Sequence, residues 1–333
     1  MANAQGGPVP VVVMGLGFIG QEIARAAHAS PELTLVGAVD RSPLLVGRRV
    51  GELIGVPSIA FKVSSQLEEA LGRHRGAVLL HATGSRLPQV MDQLLAAIRA
   101  GLSVVSTCEE LSFPHLKHSD LADRLEREAK KANVSVLGTG VNPGFVLDRL
   151  VATAGQVCGE IRRVSATRVV DARSRREALQ RKIGAGLSED EFTELAEKEQ
   201  IGHVGLTESA ALCALGLGID CDDFEEEIVP MIAEEDISGA AFPVSKGRVA
   251  GICQTAIGLD GEQERVRLQL TIAVGAENPR DHIAIESDPP IELEVKGGVA
   301  GDRATANVVV NAAPRMTSAD AGLLTVLELP AGR

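Results

Sequence analysis

The sequence predicts an α/β protein of two domains: an N-terminal doubly wound parallel sheet, then a C-terminal α+β domain carrying an open, mostly antiparallel sheet. Three observations lead there. Short apolar runs alternate with amphipathic helical stretches through the first half. Period-two alternation of apolar and polar residues replaces that pattern in the second half. The length, 333 residues, exceeds what one hydrophobic core usually organises.

Taken in order, Val9–Met14 is an apolar run suited to a strand buried on both faces. Phe18–Ala29 reads as a helix, and Leu33–Val39 as a second strand ending at Asp40. Residues 58–63 read as a third strand, and 77–82 as a fourth that leads into a Thr83-Gly84 turn. A helix follows over 88–100, with Pro88 in its first turn and Gly101 just past its end. Residues 102–106 make a fifth strand, Ser119–Ala132 a helix and 134–137 a sixth strand. Such alternation implies right-handed crossovers. In the second half, Val266, Leu268, Leu270, Ile272 and Val274 alternate with more polar neighbours, and Ile291, Leu293 and Val295 alternate with Glu292, Glu294 and Lys296. Ser188 and Glu191 form a capping box that opens a helix over 188–200. Residues 1–142 are expected to form the first domain, completed by 316–333, whose apolar stretch 323–329 returns to it. Residues 143–315 form the second, and its open sheet face suits dimerisation.

Composition narrows the function. The formal charge of −12 repels a phosphate backbone, and with no Trp, no Tyr and seven Phe there are few platforms for stacking bases, so nucleic acid is not expected as a partner. Without Tyr, no tyrosine hydroxyl serves as a general acid; a carboxylate, His, Lys, Cys or water must move protons. The five cysteines are scattered and never spaced as Cys-x-x-Cys, which fits a reducing compartment and no structural zinc. Residues 1–10 carry no basic stretch before the apolar run, and that run is far too short to span a bilayer. A cytoplasmic protein with no membrane partner is expected.

Gly15-Leu16-Gly17-Phe18-Ile19-Gly20 is a G-x-G-x-x-G segment that follows a strand and opens a helix, with Asp40 at the end of the next strand. That context is the fingerprint of a Rossmann dinucleotide-binding domain. Gly15 permits the tight turn, Gly17 lets backbone approach a pyrophosphate, and Gly20 lets helix and strand pack closely. Asp40 would accept from ribose hydroxyls and favours NAD, whereas Arg41 would face a 2′-phosphate and favours NADP. The two signals conflict, so the cofactor stands as NAD or NADP.

A reaction site is expected beyond the carboxyl ends of the strands, at three loops. The first, 81–85, places Ala82, Thr83 and Gly84 against the cofactor. The second, 106–110, ends in two adjacent carboxylates, Glu109 and Glu110; in an extended chain they point to opposite faces, which allows only one to work at the site. Glu109 is the candidate, against the alternative that both are solvated loop residues. The third loop, 138–144, holds three glycines, Asn142 and Pro143, which suggests backbone held against a ligand, or a plain hinge. Arg168 sits among apolar neighbours on one strand face, as an anchor for substrate or as a structural ion pair. His203 lies in a Gly-flanked loop. His115 and His118 share an H-x-x-H spacing with no third ligand in view, so no metal is expected.

Two of these loops, S-T-C-E-E-L-S-F-P (106–114) and G-T-G-V-N-P-G-F-V-L-D (138–148), resemble the 2,4-diaminopentanoate dehydrogenases and the related native amine dehydrogenases, a group broadly similar to dihydrodipicolinate reductases. V-G-R-R-V-G-E-L (46–53), T-R-V-V-D-A (167–172), Q-R-K-I-G-A-G-L (180–187), G-H-V-G-L-T-E-S (202–209) and V-V-N-A-A-P-R (309–315) extend the resemblance along nearly the whole chain. It implies reversible NAD(P)-dependent oxidative deamination of a small amine, releasing ammonia and a ketone or aldehyde, by a homodimer. It places the glutamate that handles the amine at Glu109, and Asn142, Phe145, Arg168 and His203 on the substrate. The His-His-x-x-Lys and Pro-Ser-Gly-Thr segments of dihydrodipicolinate reductases are missing. Two other readings stay open: a reductase of a C=N or C=C bond in another metabolite, and a dinucleotide-sensing regulator without chemistry.

Overall fold

A computed structural model of the chain describes residues 7–241, 243–330 and 332. The reading of the first ten residues, and of the extreme C-terminus in the first domain, therefore falls partly outside the described residues. In chain order the first part runs β1 (Val9–Met14), α1 (Phe18–Ala29), β2 (Leu33–Val39), α2 (Val50–Ile54), α3 (Leu67–Leu71), β3 (Val78–His81), α4 (Leu87–Arg99), β4 (Ser103–Ser106), α5 (Ser119–Ala132) and β5 (Ser135–Gly138). The second part runs α6 (Arg149–Gly155), β6 (Ile161–Asp171), α7 (Glu177–Lys182), α8 (Glu189–Glu197), α9 (Leu206–Leu217), β7 (Asp223–Ile232), β8 (Val249–Asp260), β9 (Gln263–Ala273), β10 (Arg280–Ser287) and β11 (Ile291–Lys296). The chain then adds α10 (Gly301–Ala312) and β12 (Gly322–Leu324). Two compact units result, Met1–Phe145 with Ala300–Arg333, and Val146–Val299. Helix α10 packs on α1 and so groups with the first unit, whereas the sequence pattern alone grouped it with the second.

The first unit is a six-stranded sheet in the order β12-β5-β4-β3-β1-β2, parallel throughout. Strand β1 lies inside it, and Val11, Val12 and Val13 are fully buried, as an unbroken apolar strand requires. Helix α4 begins with proline in its first turn and is followed by Gly101 at φ +74°; it buries Leu94, Leu95 and Ile98 against Leu79, Val104 and Val136. Helix α5 ends at Asn133 in the left-handed region. The expected strand at 58–63 is absent from the sheet. Strand β2 meets this segment only at an isolated bridge between Val39 and Ser64, and the segment folds back on its own neighbours, Val63 N–H donating to Arg48 O and Val50 N–H to Phe61 O. The sixth strand is β12, from the C-terminal return.

The second unit is a six-stranded sheet in the order β11-β10-β6-β9-β8-β7, in which β6 and β9 are the parallel pair and the other neighbours run antiparallel. Val266, Leu268 and Leu270 of β9 are buried, while Arg267, Gln269 and Thr271 are half-buried on the opposite, open face. Apolar α9 packs against β7, β8 and β9. The capping box forms as read: Ser188 accepts from Glu191 N–H, and Glu191 accepts from Ser188 N–H. Among the described residues, no helix is long and apolar enough to cross a membrane.

Candidate active site

The glycine segment does in three dimensions what its spacing implies. Gly15 has φ +87°, and a Cβ there would lie 2.5 Å from Ala82 O. A Cβ on Gly20 would lie 1.7 Å from Gly15 O, so the first turn of α1 rests directly on the loop. Gly17 is different: a Cβ there would meet no atom of the described residues within 4 Å. Its glycine is not demanded by the protein's own packing. It leaves open space at the N-terminus of a twelve-residue helix, where the positive end of the helix dipole suits a pyrophosphate. This space belongs to a cavity of about 500 Å³ lined by Gly15, Gly17, Asp40, Arg41, Ala82 and Thr83. Of the other expected cofactor residues, Phe18 is exposed beside it at the helix start, Ile19 is half-buried in the same turn, and Gly84 sits against Val90.

Asp40 is engaged by its own loop. One carboxylate oxygen accepts from Leu16 N–H at 2.6 Å and the other from Ser42 N–H at 2.8 Å, so it braces the glycine loop. A carboxylate has about four acceptor positions, which leaves room for ribose hydroxyls. Sequence spacing missed Ser65, Gln66 and Glu68, at the start of α3, and Asp92, Gln93 and Ala96, on α4, which also line the cavity. Their helical positions carry no glycine or motif; only the heptad-like burial of Met91, Leu94, Leu95 and Ile98 hints that the neighbouring stripe faces something else.

The two adjacent glutamates have different fates. Residues Glu109–Ser112 form a 3-10 turn rather than an extended segment, so simple alternation does not apply. Glu110 is buried, 3% exposed, and accepts from Leu87 N–H at 2.7 Å and faces His118 Nε2 at 2.9 Å, with Arg86 at 3.5 Å. It caps α4 from a distance and is a buried structural group, not a solvent-facing charge. Glu109 is half-buried, directly beyond β4. Burial, with the charge of Glu109 adding to it, pushes the Cys108 thiol far above its ordinary range and leaves it unsuited to nucleophilic work.

In the third loop the glycines answer to the chain itself. A Cβ on Gly138 would strike Leu111 C at 2.4 Å, and one on Gly144, at φ +120°, would strike Gly140 N at 2.4 Å. Tight self-packing requires these glycines. Asn142, before a cis Pro143, and Phe145 are half-buried there, and Val141 N–H donates to Thr305 Oγ1 of α10 at 3.4 Å. In the second unit Arg168 is engaged by its own fold. Its Nη1 meets Asp281 Oδ1 at 2.5 Å, its Nη2 donates to Val299 O at 2.7 Å, and Asp281 Oδ2 accepts from Val299 N–H at 2.7 Å. Burial lowers the pKa of the guanidinium, and Asp281 opposes that shift. This is the structural ion pair of the two roles considered. His203 is held through its backbone, with N–H and C=O both bonded to the buried amide of Gln254 at 2.8 Å. Among the described residues no cluster of three His, Cys, Asp or Glu is placed to hold a metal; His118 turns to Glu110, and His115 lies 3.8 Å from Asp123.

Known proteins match this arrangement. Residues 145–333 match the family described as 2,4-diaminopentanoate dehydrogenase C-terminal domain, and residues 9–108 match dihydrodipicolinate reductase, N-terminus. The 2,4-diaminopentanoate dehydrogenase of Acetoanaerobium sticklandii is 28% identical over 98% of this chain and 94% of its own. The structure of the amine dehydrogenase from Mycobacterium smegmatis superposes with a TM-score of 0.84 at 22% identity, covering 97% of this chain and 96% of that one. That of GenD2 from gentamicin A biosynthesis, in complex with NAD, superposes with a TM-score of 0.54 at 16% identity, covering 95% and 92%. At these identities the two structures speak for the fold.

Proposed function

The chain belongs to the 2,4-diaminopentanoate dehydrogenase family, and from that premise we propose that it is an NAD(P)-dependent amine dehydrogenase in which Glu109 handles the nitrogen of a small amine. The reaction is reversible: oxidative deamination releases ammonia and a ketone or aldehyde, and reductive amination reverses it. The observation that carries the assignment is the contrast beyond β4, where Glu110 is buried and bonded on all sides while its neighbour Glu109 is partly accessible. Bound at the cradle, the dinucleotide supplies or accepts the hydride at the carbon that bears nitrogen. Glu109 holds the substrate ammonium by charge and takes its proton before hydride leaves; once that proton has passed to water, the carboxylate stabilises the positive charge of the iminium, which water hydrolyses to ammonia and the carbonyl product. Gly17 and the start of α1 seat the pyrophosphate, and Thr83 and Asn142 help orient the ring end. Asn142 and Phe145 are proposed on the substrate. Arg168 is assigned to holding its own unit together.

Three carboxylates line the cavity, Asp40, Glu68 and Asp92, against one guanidinium, Arg41. A 2′-phosphate would add negative charge there, so NAD is proposed over NADP. The open face of the second sheet is proposed to be covered by a second copy of the chain. The test is amine-dependent formation of reduced nicotinamide, with NAD and NADP compared and a panel of small amines. Turnover that disappears in Glu109→Gln, with NADH affinity kept, supports the reading. Full turnover in Glu109→Gln overturns it, and a monomer in light scattering overturns the dimer.

A further inference from the structure

Beneath the dinucleotide cradle lies a fully buried histidine, His81, the last residue of β3. Gln93 Oε1 sits 3.0 Å from its Nε2. A carbonyl oxygen only accepts, so Nε2 carries the proton. Thr83 Oγ1, 2.8 Å from the same Nε2, donates its own hydrogen to Gln93 Oε1 at 2.7 Å and shares the Nε2–H. Nδ1 is then an acceptor, and Ser106 Oγ, 2.8 Å away, donates to it. Ser106 Oγ in turn accepts from Cys108 N–H at 3.0 Å. Burial lowers His81 to about 4, so the ring is neutral and these directions hold at ordinary pH. One end of the chain of bonds, Thr83 and Gln93, lines the cradle, and the other, Ser106 and Cys108, opens the loop that carries Glu109.

We infer that His81 is a positioning residue that couples the dinucleotide cradle to the loop bearing Glu109, so that the placement of Thr83 and the placement of that loop are set together. The inference rests on the cradle and Glu109 reading above. A neutral imidazole suits the task because it offers one donor and one acceptor on opposite sides of a rigid ring. An apolar side chain of similar size would fill the space but leave the Ser106 hydroxyl and the Thr83–Gln93 pair without their shared partner. A buried polar network of this kind is tolerated when every member is satisfied, and cooperative when it is.

The test is a double-mutant cycle read by NADH affinity, followed by the fluorescence of the bound nucleotide in a chain without Trp or Tyr. Thr83→Val should weaken NADH binding by ~2–10-fold, the range of one neutral hydrogen bond. Ser106 is buried and lies outside the cradle lining. Ser106→Ala should nevertheless weaken NADH binding by a similar factor, and the double variant should lose less than the product of the two, because either change alone breaks the relay. In a His81→Leu background Ser106→Ala should have no further effect on NADH affinity. An unchanged NADH affinity in Ser106→Ala, or multiplicative effects in the cycle, overturns the inference, and neither result requires His81→Leu to fold. Glu109→Gln separates the two readings. If it keeps turnover while the cycle shows coupling, the catalytic assignment fails and the coupling stands. If it loses turnover while the cycle is multiplicative, the coupling alone fails.

Discussion

The carboxyl edge of the parallel sheet and the buried face of the mixed sheet both carry polar groups in apolar surroundings, and they use them in opposite ways. In the second unit Arg168 and Asp281 meet on neighbouring strands and together hold Val299, and Gln254 clasps the backbone of His203. Gln180 gathers Ala172, Arg173 and Arg175 through their carbonyls and accepts from Ala241 N–H. All four side chains are buried and bonded within the unit. At the strand ends of the first unit, Gly17 and Thr83 are exposed and Glu109 is half-buried. Burial of a polar group demands that its bonds be complete, which serves shape; a ligand site demands groups that remain reachable. The comparison teaches that an anomalous polar residue in a strand is a candidate for touching a ligand only when its own fold leaves it accessible; a buried one acts, if at all, through its neighbours.

The comparison can be broken at four points. The largest effect is expected at Arg168. Arg168→Ala strands Asp281 inside the unit and should cost ~3–5 kcal/mol in chemical denaturation, whereas replacing both partners with apolar residues of like volume should recover most of it. A variant with normal stability and raised KM would return Arg168 to the substrate. His81 comes next, through pH. Its proton affinity in the folded chain, about 4, lies below the 6.5 of an exposed histidine, so the unfolded chain takes the proton first as pH falls. The contribution is intact above about 6.5 and is lost as pH drops toward about 4, up to ~3 kcal/mol. His81→Gln should flatten this slope in unfolding curves taken across that range.

The third point is the glutamate pair. Glu109→Gln should lower kcat/KM for an amine by at least ~100-fold, the scale of one acid–base or electrostatic group. Glu110→Gln should leave kcat/KM within ~10-fold and lower the melting temperature instead, because it weakens a buried acceptor for the α4 terminus and His118. The reverse ranking would move catalysis to Glu110 and sink the contrast drawn above. The smallest effect is expected at Asp40. Asp40→Ser removes a carboxylate beside the ribose and should shift the NADP-to-NAD efficiency ratio toward NADP by ~10-fold, on the scale of one charge interaction near a surface. It should also loosen the Leu16 N–H that Asp40 holds, so NAD binding weakens too. An unchanged ratio would remove Asp40 from cofactor choice.

Much of the fold was legible because its signals are local. The apolar run of β1, the Pro88 and Gly101 bounds of α4, the Ser188–Glu191 capping box and the alternation in β9 are each written within a dozen residues, and burial of one face enforces them. The Gly15, Gly17 and Gly20 triplet with Asp40 was equally plain, since it encodes one turn and one strand end. Tertiary structure decided the rest, because the deciding contacts come from far along the chain. Residues 58–63 have the composition of a strand but pair only with the nearby residues 47–50, through an isolated antiparallel bridge of Lys62 with Arg49, and the other edge of the sheet is completed by β12 from the C-terminal return. The glycines of 138–144 are required by close approach to Leu111 and to the loop's own backbone. Nothing in the dipeptide Glu109-Glu110 says which carboxylate is reachable. That depends on Leu87 and His118, one before the loop and one after it, which close around Glu110 and leave its neighbour half-buried.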